Sequence, residues 1–324
     1  LTPDDPQRLA YLCALAQRCA QSLVRREHCA VALTGSTARG DATIGSDVDL
    51  WVIGRASGRQ HLRVDGTRVT LLRYTLPQAL AVDTLCRFEV DDVQVLADPH
   101  GVFQQIRRRF DQRRSVIRSL VLADTEAALL EELAAAADGA PLQRVLALRQ
   151  AALRLAKVEV YFVHGWRVPK WRNIVTALPR PLVARLRTLL ALAPTPAARQ
   201  LDHALPALLS ALSRARCPRP DPTAIEVARQ RLVGGAVEDA LVALQQLTAQ
   251  VPTHWLVCQP PLTEPKRTWL ELHGLRNDER GQAAALAQAQ RRFVAFVQAL
   301  PSLRWWQKRL PLQRVLDEVG CRLH

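Results

Sequence analysis

The sequence predicts an α+β protein, with a small α/β domain carrying a mixed sheet over residues 1–111 and a mostly α-helical domain over 112–324. Two observations lead there. Up to the basic run Arg107-Arg108-Arg109, short apolar runs that read as strands alternate with helical segments. Beyond about residue 114 the texture changes to long Ala/Leu/Arg stretches with little β-branched alternation, broken at Pro141, Pro181, Pro194, Pro206, Pro218 and Pro220.

Taken in order, PQRLAYLCALAQRCAQSLVRREH carries apolar residues at helical spacing after a start at Asp4-Asp5-Pro6. CAVALTG reads as a short buried strand and VDLWVIG as a second. LRVDGTRVTLLRY reads as a hairpin, because Asp65-Gly66 supplies the positive φ angles of a tight turn. TLPQALAVDTLCRF is expected to be a helix, and VDDVQVLADPHG a further strand ending in a turn at Asp98-Pro99. In the second part, the mixture of Pro, Trp and charge over residues 252–280 predicts a long loop.

Charge and cysteine usage narrow the partners and the compartment. The chain of 324 residues has a formal net charge of +14. Residues 1–111 hold 14 Arg/Lys against 13 Asp/Glu, whereas residues 112–324 hold 30 against 17. The excess therefore lies in the helical part, where it suits RNA or another polyanion. No apolar run approaches the length needed to cross a bilayer. The N-terminus lacks a basic segment followed by an apolar core, so no secretory signal is expected. Seven cysteines are scattered without a C-x-x-C pair, which predicts reduced thiols in a cytoplasmic protein rather than disulfides or zinc. The eight histidines show no metal-ligand spacing.

The stretch GSTARGDATIGSDVDL, residues 35–50, carries the chemistry. Residues two apart on a strand share a face, so Asp47 and Asp49 project together while Val48 and Leu50 pack below. Two carboxylates that close repel unless a cation lies between them. Magnesium suits such a pair, because it takes few protein carboxylates and completes its shell with water and substrate phosphates. Gly35-Ser36 follows a strand and opens a turn whose backbone N–H groups and hydroxyl can meet phosphate oxygens. Gly40 and Gly45 let the connection fold back toward Ser36.

G-S, ten residues, then D-x-D, with Arg39-Gly40 inside and Ser46-Asp47-x-Asp49-Leu50 at the end, resembles the nucleotidyltransferase superfamily of DNA polymerase β type. The nearest likeness is to its small bacterial branch, which includes aminoglycoside nucleotidyltransferases and the MNT partners of HEPN toxins. The resemblance is specific over residues 29–54 and extends in outline to about residue 110. It implies that Gly35 and Ser36, with Arg39, hold a triphosphate, and that Asp47 and Asp49 hold Mg2+ or Mn2+. The implied reaction is in-line transfer of a nucleotidyl group from a nucleoside triphosphate such as ATP to an acceptor hydroxyl, on RNA, a tRNA end or a small molecule.

The pattern departs from the family at one place. The family's third carboxylate lies on a neighbouring strand, here TRVTLLRY, whose positions on one face are Arg68, Thr70 and Leu72. None is acidic. Either Glu89, Asp91, Asp92 or Glu159 stands in, or the protein binds a nucleotide without transferring it efficiently; an arginine at this place can also replace a metal's charge against the aspartates. A lost general base costs a factor of about 10²–10⁴.

In the helical part, RLAKVEVYFVHGWRVPKWRNI contains a Lys-Trp pair that resembles a segment of aminoglycoside-type transferases. The resemblance places Lys170 on a phosphate and Trp171 or Tyr161 along the acceptor or base pocket. The residues alone read differently, with Tyr161, Phe162 and Trp166 as helix core. Trp305-Trp306 beside Lys308 and Arg309 reads first as packing of a terminal helix, and second as a platform for a base.

Overall fold

The computed structural model describes residues 6–40, 42, 46–87, 92–165, 171–192, 206–207, 210, 222–233, 237–248, 264–273, 275, 278–309 and 317. The chain divides into two units, Leu1–Ala123 and Asp124–His324.

The first unit begins with helix α1 (Pro6–Glu27), which enters strand β1 (Ala30–Thr34) after two residues. The short helix α2 (Gly35–Ala38) follows β1 directly, and β2 (Val48–Ile53), β3 (Gly58–Val64), β4 (Thr67–Tyr74) and β5 (Gln94–Ala97) complete one sheet in the order β3-β4-β2-β1-β5. β2 and β4 run parallel, and the other three pairings are antiparallel, so the sheet is mixed as expected. Asp65 and Gly66 take φ of +50° and +75°, the left-handed pair that closes a tight hairpin between β3 and β4. The predicted helix over TLPQALAVDTLCRF is two short ones, α3 (Leu76–Ala79) and α4 (Val82–Arg87). Thr75 and Gln78 form a capping box at the start of α3.

Alternation along the strands gives the sheet two unlike faces. Val31, Leu33, Val48, Leu50, Val52, Val69 and Leu71 join Leu12, Leu15, Ala16 and Ala20 of α1 in one buried core. The opposite face carries Thr34, Asp49, Trp51, Thr70 and His61 at paired positions. Trp51 packs edge-on against Tyr74 of β4 and Phe103 of the long helix α5 (Val102–Asp138). The start of α5 is capped by Asp98, whose carboxylate accepts from the backbone N–H groups of Val102 and Phe103 at 2.7 and 2.9 Å. The division between the units falls within α5.

The second unit is helical: α6 (Pro141–His164), α7 (Trp171–Ala177), α8 (Arg180–Leu189), α9 (Pro222–Val233), α10 (Val237–Leu247), α11 (Glu264–Leu272), α12 (Glu279–Gln298) and α13 (Leu303–Arg309). The stretch expected to be a loop over 252–280 contains α11. Its Trp269, Leu270 and Leu272 are buried at helical spacing, and Pro265 sits in the first turn, where a missing N–H costs nothing. Arg149 of α6 is buried and donates to two carbonyls, Leu189 O at 2.8 Å and, by a short bond, His273 O. Gln245 does the same for Leu190 O and Leu272 O at 3.1 and 2.9 Å. Side chains thus supply donors to carbonyls at the ends of α8 and α11. Trp306 is fully buried and Trp305 lies against Phe162, so the tandem tryptophans pack α13 onto α6. No helix among the described residues is long and apolar enough to cross a membrane.

Candidate active site

Three connections bring Gly35-Ser36 and Asp47-Asp49 together. Thr34 at the end of β1 pairs with Asp49 at the start of β2. Ser36 Oγ lies 3.2 Å from Ser46 Oγ, and Thr37 Oγ1 donates to the backbone carbonyl of Asp47 at 2.9 Å. These bonds close the neck of the loop that begins after α2. Gly35 has φ of +74°, and a Cβ placed on it would stand 3.0 Å from Asp49 Oδ2. A side chain at position 35 would therefore fill the space in which the turn and the carboxylate meet.

The two carboxylates have different surroundings. Asp47, just ahead of β2, receives Arg68 on a single oxygen: Nε and Nη2 reach its Oδ2 at 2.8 and 2.6 Å. Asp49 is more enclosed and stands beside Thr70, its register partner on β4. Burial, reinforced by the charge of Asp47, pushes the Asp49 carboxyl up to about 6, against the opposing pull of Thr70, Arg68 and Arg59. The ionised pair is electrostatically short of a cation.

Arg68 and Thr70 stand where the third carboxylate was sought. Of the proposed stand-ins, Asp92 lies 3.7 Å from Arg39 in a half-buried ion pair. Glu159 belongs to the second unit, where Ser302 donates to it through its backbone N–H at 3.1 Å and through its hydroxyl by a short bond. Glu89, Asp91 and Lys170 lie outside the described residues, as does Trp166. Among the described residues no group of three or more His, Cys, Asp and Glu side chains could enclose a metal ion.

Of the other expected site residues, Arg39 forms the C-cap of α2 and is turned toward Asp92. Trp171 is buried in the second unit and donates from Nε1 to Glu238 at 2.9 Å, a carboxylate that also receives Arg187. Its indole is thus tied into its own unit. His61 was not singled out from sequence. It faces Thr70 across the β3–β4 ladder, with Nδ1 and Oγ1 3.2 Å apart. The hairpin register was the signal that could have found it.

The donor set fits one hard cation that brings most of its ligands with a triphosphate. Asp49 and the Oδ1 of Asp47, which accepts no hydrogen bond among the described residues, supply two oxygens. It does not fit a second ion, because a guanidinium occupies the neighbouring position.

Residues 16–121 match the family model described as a nucleotidyltransferase domain. The chain carries a domain of the nucleotidyltransferase superfamily. Among solved structures it is similar to a nucleotidyltransferase-like protein from Exiguobacterium sibiricum 255-15, at 14% identity over 91% of each chain, with a TM-score of 0.30. No curated protein matches the chain. The mixed sheet with a helical C-terminal part agrees with the α+β nucleotidyltransferase fold expected from sequence. Nucleotidyl transfer is the general activity of such domains.

Proposed function

We propose that this protein transfers a nucleotidyl group from a nucleoside triphosphate to an acceptor hydroxyl, with one Mg2+ held by Asp47 and Asp49. The supporting observation is the closeness of the glycine turn to the acidic pair, where a Cβ at position 35 would stand 3.0 Å from Asp49 Oδ2. Gly35 and Ser36 would take triphosphate oxygens through backbone N–H groups and the Ser36 hydroxyl. When bound, the ion neutralises phosphate charge and orients the α-phosphoryl group for in-line attack. Asp47 and Asp49 fix its place. Arg68 holds Asp47 and adds a positive charge beside the leaving pyrophosphate. The basic balance of residues 112–324 favours an anionic acceptor such as RNA over a polycationic one.

The ion pair between Arg68 and Asp47 supports a second reading, a nucleotide-binding module that has lost transfer. One experiment separates the two. The protein is incubated with Mg2+, α-labelled ATP, CTP, GTP or UTP, and RNA or an aminoglycoside, beside an Asp47→Ala/Asp49→Ala control. Label transferred by the wild type and not by the control supports the transferase. Nucleotide bound without transfer to any acceptor, itself included, supports the module. For RNA, affinity independent of salt would remove the charge argument.

A further inference from the structure

Resting on the transferase reading, the open question is where an anionic acceptor lies against the first unit. Residues 1–111 are nearly balanced in charge, yet the part of α5 that belongs to this unit, residues 102–123, carries six arginines against one aspartate. That aspartate, Asp111, is bound by Arg114 at 2.8 Å.

Helical spacing sorts these arginines. Phe103, Ile106, Phe110, Ile117 and Val121 are buried and mark the inward side of α5. Arg107, Arg114 and Arg118 run along one flank of it, with Gln104 and Arg108 beside them, whereas Arg109 and Arg113 lie on the other flank. Gln104, Arg107, Arg108, Arg114 and Arg118 are all exposed. At 1.5 Å per residue, the row from Arg107 to Arg118 is about 16 Å long.

A cavity of about 630 Å³ opens where this row begins, lined by Trp51, Val93, Val95, Gln104, Arg107 and Arg108. It lies on the face of the sheet that carries the acidic pair. Trp51 follows Asp49 by two residues on β2, so both project from one side, about 7 Å apart along the strand. Ala32 of β1 pairs with Trp51 and with Val95 of β5, which sets Val95 in the same cross-strand row. Val95 is 51% exposed, an apolar side chain left open at the cavity. Asp98 also borders the cavity, but its carboxylate is spent on the N–H groups of Val102 and Phe103.

The ligand that suits these features is planar and apolar at its end and repeatedly anionic behind it. A nucleobase fits against Val93 and Val95 beside guanidinium planes, which stack on bases. Successive phosphates of a strand then meet the arginine row. A nucleoside triphosphate does not match as well, because its charge is taken up at the Gly35 turn and none remains for α5. We propose that the cavity and the arginine row of α5 form the acceptor surface. The terminal nucleotide of a single-stranded RNA enters the cavity, and its preceding phosphates lie on Arg107, Arg108, Arg114 and Arg118. The strand end is thereby held one step along β2 from Asp49.

Binding of a short fluorescein-labelled RNA with a free 3′ hydroxyl, read by anisotropy on the full chain across about 50–200 mM salt, tests the surface. Arg107→Gln/Arg108→Gln is expected to weaken binding about tenfold or more and to lower the salt slope by about two. Arg109→Gln/Arg113→Gln removes the same charge from the other flank and should stay within about twofold of the wild type. Equal losses in the two variants overturn the proposal, since net charge alone then accounts for binding. An RNA whose 3′-terminal residue is abasic should bind the wild type about tenfold more weakly than the intact strand. That penalty should shrink in Arg107→Gln/Arg108→Gln, which lacks the stacking planes. No penalty in the wild type, or one undiminished in the variant, overturns the cavity assignment. Saturating magnesium and a non-hydrolysable ATP analogue should leave the penalty in place; its disappearance gives the cavity to the nucleotide's own base and also overturns the proposal. Label transfer separates the two readings. Wild-type transfer to RNA by Arg107→Gln/Arg108→Gln overturns the surface and leaves the transferase reading standing. RNA bound as expected, with no label transferred by the wild type, overturns the transferase reading and leaves the RNA surface.

Discussion

Gly35 and Gly40 have nearly the same backbone conformation, φ of +74° and +75°, in different surroundings. A Cβ at Gly35 would lie 3.0 Å from Asp49 Oδ2, whereas one at Gly40 would meet nothing within 4 Å. Alanine at either position carries the left-handed strain of about 1–2 kcal/mol. At position 35 the carboxylate must also move by a few tenths of an ångström. Forcing an extra atom into that contact adds about 1–3 kcal/mol. Gly35→Ala should therefore unfold in urea with at least about 1 kcal/mol less stability than Gly40→Ala. Calorimetric titration of ATP at fixed Mg2+ should show about tenfold weaker binding for Gly35→Ala, equivalent to about 1.4 kcal/mol. Equal stability losses with equal nucleotide affinities would refute the idea that Gly35 exists to let the turn meet Asp49.

Three other perturbations probe separate parts of the account. Arg68→Gln releases Asp47 Oδ2 and removes a cation from the acidic pair, so Mn2+ affinity should rise about fivefold, the equivalent of ~1 kcal/mol of repulsion at 4 Å in high dielectric; unchanged affinity would contradict the assignment of Asp47 to the metal. Arg149→Leu leaves the buried carbonyls of Leu189 and His273 without their donor, and should cost about 2–5 kcal/mol in urea unfolding. A loss below about 1 kcal/mol would mean that those helix ends find other partners. His273 is buried, and burial holds its imidazole well below the usual range, with Arg149 adding to the effect. The unfolded chain takes that proton near pH 6.5 and the folded chain does not, so this group makes stability fall as pH drops below that value, by up to about 1.4 kcal/mol per unit. The difference in unfolding free energy between wild type and His273→Gln, taken at pH 7.5 and 5.5, isolates the effect, and a constant difference would contradict it.

What could be read in the chain depended on how local the determining physics is. Strand periodicity puts Asp47 and Asp49 on one face whatever lies around them, and Asp65-Gly66 closes a hairpin by its own backbone preference. The absence of an acid on TRVTLLRY was equally visible, because the register follows from that hairpin. The Arg68–Asp47 contact was legible only as one choice, since a guanidinium on that face could as easily have turned to solvent or phosphate as to the aspartates. His61 escaped notice because its place on this face comes from two pairings at once, with Thr70 and through it Asp49. Arg149 in Ala/Leu-rich α6 looks like any solvated arginine, yet it gathers the ends of two helices distant in sequence. The helix α11 was masked by proline and charge around Trp269, whose burial decides the conformation. Composition identified a basic helical part but could not say which of its arginines are spent on structure.

The central claim is that Asp47 and Asp49 hold one nucleotide-bound divalent ion, with Arg68 excluding a second. Mn2+ bound to the wild type, Asp49→Asn and Arg68→Gln, counted by electron paramagnetic resonance with and without a non-hydrolysable ATP analogue, tests it most directly. The account predicts a single Mn2+ per wild-type chain that requires the nucleotide and is lost in Asp49→Asn. Two ions in the wild type, or one that survives Asp49→Asn, would contradict it.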